Sequence, residues 1–142
     1  MARRVQDLIV VLDASILVSA VLKANSIPER AVLHALAPPN IIALSREVEA
    51  EYRNVLSCPK FDRIITEERR RTLLDTVILD ARRIEPTEAV RECPDPKDNK
   101  YLALAAAANA GAIVTGDLRH LLPMHPWRGI PILSPAQFLA LS

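Results

Sequence analysis

Cysteine is almost missing from this sequence. Cys58 and Cys93 are the only two, and no Cys-x-x-Cys spacing joins them. That excludes a disulfide framework and a thiolate zinc ribbon, and it reads as reduced thiols of a cytoplasmic protein. His34, His120 and His125 form no zinc spacing with either cysteine. No apolar run approaches the about 20 residues of a membrane span, so no membrane partner is expected. There is no Gly-x-x-x-x-Gly-Lys loop, which leaves an ATPase unsupported. Charge of one sign is missing too. The formal net charge is +1, which excludes a strongly basic nucleic-acid-binding surface overall and leaves room for a local one. Arg3 and Arg4 precede the first apolar run, as in a signal peptide, but Asp7 and Asp13 interrupt the pattern. The apolar part is short and has no cleavage-like end, so it reads as a first strand. No internal repeat or low-complexity tract is present.

What is there is enough for one packed domain, residues 1–142. Half the residues are hydrophobic, and a chain this long buries about 68–70% of its unfolded surface without staples. The organising stretch is LIVVLDASILVSA, Leu8 to Ala20. Leu8 to Leu12 run apolar without a break, as in a strand buried on both faces. Asp13 ends that run, where a carboxylate is costly unless something pairs with it.

The rest of the chain alternates in kind. A helix is expected over 15–24, then a break at Asn25 to Pro28. A second helix comes next, with Ala31, Val32, Ala35 and Leu36 on one face. Ile41 to Leu44 is a second strand, and Ser45 caps a helix over 46–56 that Cys58 and Pro59 stop. On that helix Glu47 and Glu51 share a face. Thr66 caps a helix over 67–84. Arg69, Arg70 and Arg71 lie near its start, against the macrodipole. A connection over 85–96 ends in ECPDPKDNKY, stiffened by Pro94 and Pro96. Asp98 opens an alanine-rich helix over 99–110, with Gly111 at its C-terminal cap. A buried strand over 112–115 runs into Gly116 and Asp117. A short helix and loop, a strand over 130–133 and a helix begun by Ser134 and Pro135 close the chain. This alternation specifies an α/β fold: a three-layer α/β/α sandwich with a mostly parallel central sheet.

Four acids fall at element ends or on the helix after a strand: Asp13, Glu51, Asp98 and Asp117. In an open parallel sheet, ligands bind outside the carboxyl ends of the strands. Two carboxylates 4 Å apart repel by about 4 kcal/mol at an effective dielectric of 20. Four in one crevice must take up protons or bind hard cations, Mg²⁺ or Mn²⁺. Each acid has a plainer reading beside this one. Asp98 can serve as an N-cap, Asp117 as a turn residue and Glu51 as a solvated helix face. Glu47 and Glu49 read as solvated. Asp95 is a loop residue or an outer ligand. Trp127 and Tyr101 read as packing.

Three pieces carry a family resemblance: VVLDASILVSA, ALSREVEAEYRNVLSCPKF and CPDPKDNKYLALAAAANAGAIVTGDLRHLL. Together they cover nearly the whole chain. It resembles a PIN domain, and most of all the VapC-like toxin components of toxin–antitoxin pairs. The resemblance implies a metal-dependent ribonuclease that cleaves single-stranded RNA. Its catalytic residues and metal ligands would be Asp13, Asp98, Asp117 and Glu51, the last helping to position metal or water. Ser15, Asp95 and Thr115 would support them. Ser15 stands where the family usually has Asn. Arg69, Arg70, Arg71, Lys97 and Arg119 are candidate phosphate contacts. A small antitoxin is the implied partner, and a homodimer is permitted by the apolar helices. Two other classes stay open: a PIN-like binding module weakened by Ser15, and a phosphotransfer receiver or aspartate phosphatase. The second lacks adjacent acids on the first strand and a second Asp two residues after Asp13.

Overall fold

Ile9–Leu12 forms the first strand, β1, and becomes the middle of the sheet. The structure, a computed structural model, describes residues 8–141. Arg3, Arg4 and Asp7, on which the signal-peptide reading turned, lie outside the described residues. β1 pairs with β2 (Ile41–Leu44) on one side, Ile9 facing Ile41. It pairs with β4 (Ala112–Val114) on the other, Leu12 facing Val114. β3 (Arg82–Arg83) extends the sheet beyond β2, and β5 (Ile132–Leu133) beyond β4. The order is β3-β2-β1-β4-β5 and every pairing is parallel. β1 is completely buried at Val10, Val11 and Leu12, as an unbroken apolar run should be.

Helices α1 (Ala14–Leu22), α2 (Ile27–Leu36), α3 (Arg46–Leu56), α4 (Glu67–Asp80), α5 (Asn99–Ala108) and α6 (Pro135–Leu139) complete the α/β/α fold. The caps read from sequence, Ser45, Thr66 and Ser134, are in place, and Ser26 caps α2 as well; each accepts a backbone N–H of its own helix. α5 lies on β1, β2 and β4, while α1 packs on α2, α3 and α4. Among the described residues no helix is long and apolar enough to cross a membrane.

Three boundaries differ from expectation. α4 stops at Asp80 rather than running to 84, because Arg82 and Arg83 pair with Ala43 and Leu44 as an edge strand. α5 is ended by Asn109 in the left-handed conformation at φ 50°, not by Gly111. Asn tolerates that region and its backbone N–H closes the last turn. Gly111 answers a different need: a Cβ there would collide with the Leu8 side chain. Finally, Asp13 rather than Ser15 starts α1, acting as its N-cap.

Candidate active site

The chain moves outward from β1 through β2 to β3, then returns to add β4 on the far side. The carboxyl ends of β1 and β4 therefore form the switch point of the sheet, where a crevice opens. Asp13 and Thr115 leave the two strands side by side there. Asp13 is 7% exposed. Its Oδ1 accepts the Ser15 N–H at 3.2 Å, and its Oδ2 accepts the Ser15 hydroxyl at 3.1 Å and the Thr115 hydroxyl at 2.7 Å. Ser15 thus supplies the hydrogen bond its position calls for. Thr115 is fully buried, and its oxygen also accepts the Asp117 N–H at 2.9 Å. One hydroxyl links the two acids, reaching Asp13 from 102 positions away in sequence.

Asp117 is held by the turn after β4. Its Oδ1 accepts the backbone N–H groups of Arg119 and His120 at 3.0 and 3.2 Å, and its Oδ2 lies 3.2 Å from His120 Nδ1. Burial pushes its pKa up. The Arg119 N–H, a hydrogen bond with Asp98 and the two contacts from His120 outweigh that, so the carboxyl sits below its ordinary range. Asp98 is the opposite case. Burial first, then the hydrogen bond with Asp117, then the charges of Asp13, Asp95 and Asp117 push it up to about 7. The two carboxyls are therefore driven apart, Asp98 up and Asp117 down.

Asp98 ends a 3-10 turn over Pro96–Asp98 and makes no capping hydrogen bond of its own to α5. Asp98 thus occupies the N-cap position of α5, as read from the sequence, but its side chain does not cap, which leaves its carboxyl to the crevice. Asp95 caps the turn instead, accepting the Lys97 N–H at 3.1 Å. Ligand atoms of Asp95, Asp98 and His120 lie within 4.8 Å of one another. His120 joins the acids because the turn after β4 folds it back onto Asp117. Its histidine–cysteine spacing said nothing, but its place three residues after Asp117 in GDLRH was the available signal. Oxygen donors with one imidazole fit Mg²⁺ or Mn²⁺, and a proton held at about 7 marks a crevice short of positive charge.

Glu51 stands on α3 with Oε2 3.1 Å from Lys100 Nζ, the second residue of α5. Two tyrosines fix the floor between them. Tyr101 Oη accepts the Ala14 N–H at 3.1 Å, and Tyr52 Oη donates to the Leu12 carbonyl at 2.5 Å. Burial and then the Asp13 charge hold both phenols neutral, well above their usual range. Tyr101 is thus more than packing.

The arginines of α4 separate. Arg69 is exposed, and Arg71 is exposed with Glu67 at 2.8 Å. Arg70 is buried and belongs to the fold: it donates to the Leu56 carbonyl at 3.0 Å, the Cys58 carbonyl at 3.5 Å and Asp62 at 3.0 Å. Lys97 and Arg119 are exposed, and their backbone N–H groups bond Asp95 and Asp117. Glu47 is exposed as expected, whereas Glu49 pairs with Arg53 and Arg83. Of the other histidines, His34 meets Phe138 edge-on at 5.2 Å and His125 accepts the Ile132 N–H at 2.9 Å. Trp127 is buried and donates to Glu92 at 3.1 Å.

Residues 9–119 match the family model described as PIN domain. A crystal structure of VapBC2 from Rickettsia felis bound to a DNA fragment from their promoter is similar in fold. The TM-score is 0.61 at 18% identity, over 89% of this chain and 98% of that one. No curated protein matches the sequence.

Proposed function

Since the chain belongs to the PIN domain family, we propose that its rim of acids is the active site of a metal-dependent endoribonuclease acting on single-stranded RNA. The observation that carries this reading is the convergence of Asp13, Asp98 and Asp117 at one switch point, with Asp98 driven to about 7 by burial and its acidic neighbours. Family membership leaves the phosphotransfer reading without support.

Asp98 and Asp117 are the proposed metal ligands, with Asp13 behind them and Asp95 and His120 beside them. Mg²⁺ or Mn²⁺ held there would supply positive charge opposite the developing charge on the phosphate and would lower the pKa of water. The chain's own residues prepare that crevice. The Arg119 and His120 N–H groups keep Asp117 ionised. Thr115 holds Asp13 and Asp117 in register, and the Tyr101 and Tyr52 hydroxyls fix the β1–α1 corner. Glu51 positions through Lys100. The exposed side chains of Lys97 and Arg119 are the proposed phosphate contacts, with Arg69 and Arg71 of α4 as further ones. Arg70 is withdrawn from that role, because its guanidinium is occupied inside the fold.

The chain has the fold of a protein crystallised as VapBC2 with promoter DNA. On that likeness we propose a toxin of a toxin–antitoxin pair, restrained by a small antitoxin and able to pair with a second copy of itself. The test is cleavage of single-stranded RNA by purified protein with Mn²⁺. Activity should vanish with EDTA and in Asp13→Asn, whose amide can still cap α1 and keep the fold. Cleavage that survives either treatment would falsify the reading. RNA binding that is equally tight with chelator, without any cleavage, favours the binding module instead.

A further inference from the structure

Lys100 is out of place by ordinary rules. It stands in the first turn of α5, where the macrodipole disfavours a cation. Its side chain is 13% exposed, and lysine is almost never so buried without a partner. The partner is Glu51, 3.1 Å away on α3. The ammonium also lies 6.0 Å from the Tyr101 ring, whose hydroxyl bonds Ala14 beside Asp13. So a fixed positive charge stands against Tyr101, whose hydroxyl reaches the corner that Asp13 caps.

The acids divide around it. Asp95, Asp98 and His120 bring ligand atoms together, and Asp117 touches both Asp98 and His120. A second divalent ion placed on Glu51 would meet the ammonium at contact distance. It would have to displace Lys100 from a half-buried ion pair.

We propose that Lys100 is the second cation of this site: it neutralises Glu51 from within the chain, so the crevice takes one divalent ion, on the Asp95–Asp98–His120 side, and not two. The inference rests on the metal-dependent reading above, and it changes Glu51 from a metal ligand to the counter-ion of a lysine.

Titration of the purified full chain with Mn²⁺, read by calorimetry and by the free-ion electron paramagnetic resonance signal, tests it without any activity measurement. Wild type should bind one ion. Lys100→Met should bind two, because Glu51 is released, and Lys100→Arg should return to one. Glu51→Gln should leave the affinity of the first ion nearly unchanged, whereas Asp98→Asn should weaken it by about 10–100-fold. Wild type binding two ions or none, Lys100→Met binding one, or Glu51→Gln weakening the first ion as much as Asp98→Asn does, each overturns the proposal. If Lys100→Met does not fold, the Glu51→Gln arm still decides. One bound ion in a wild type that cuts no RNA overturns the nuclease reading alone.

Discussion

Thr115 shows how much one small side chain carries. It has no solvent exposure, donates to Asp13 and accepts from Asp117. Thr115→Val keeps the shape and removes both bonds, leaving a part-buried N–H and a buried carboxylate short of a partner. A loss of about 1–3 kcal/mol is expected in urea unfolding, with Mn²⁺ affinity falling about tenfold as the ligands lose their alignment. Asp98 gives a pH signature. Folding raises its pKa from 3.8 to about 7, so between those values the folded chain binds more protons than the unfolded one. Metal-free protein should therefore lose stability as pH rises from about 4 to about 7. Asp98→Asn should flatten that part of the curve. Asp117 acts in the other direction, its contribution lost only as pH falls below the ordinary carboxylate range. Urea midpoints at pH 5, 6 and 7 for both proteins check the sign; an equal slope in Asp98→Asn contradicts it. At this scale the acids were legible, since a buried apolar run that ends in Asp advertises them. His120, Lys100 and the clamped Arg70 were not. Their roles depend on neighbours 3, 49 and 8 to 14 positions away that only the folded chain brings into reach.

At the scale of elements, caps and apolar runs marked most of the boundaries correctly. They failed where pairing overrides local preference, as at Arg82 and Arg83, whose strand exists only because β2 offers an edge. The elements are then tied by single polar contacts. Arg70 joins α4 to the end of α3 through two carbonyls and Asp62. Arg70→Met should lower stability by about 2–4 kcal/mol, since the Leu56 carbonyl loses its buried donor. Mn²⁺ affinity should stay at the wild-type value, because the clamp lies apart from the acids. A reduced metal affinity with unchanged stability would assign Arg70 to the site after all. The corner between β1 and α1 is held by Tyr101 and Tyr52 from two other helices. Likewise the 85–96 connection is stapled by Arg128, whose guanidinium bonds Glu88 at 2.9 Å and Glu92 at 2.7 Å. The acids sit on loops, but loops with fixed ends.

The whole molecule has a net charge of +1 and no basic face evident in its composition. RNA binding should therefore draw on a few local cations rather than a long-range field. If Lys97 and Arg119 provide the contacts, the slope of log affinity against log salt should be about −1.4 for single-stranded RNA. Fluorescence anisotropy across a salt series, with Mn²⁺ and an uncleavable RNA, measures it. A slope several times steeper points to a surface beyond the crevice. The parallel sheet and the alternating layers were readable from the order of apolar runs. The strand order was not, because nothing local says that β4 returns to the open side of β1.

That return governs when the acidic crevice is complete. During synthesis, β1 emerges early and β2 arrives soon after it, yet its other edge waits for residues 112–114. Until they arrive, Asp13 lacks Thr115, and Asp98 lacks both Asp117 and His120. A nascent chain is thus an unfinished one: most of it can leave the ribosome before its rim of acids assembles.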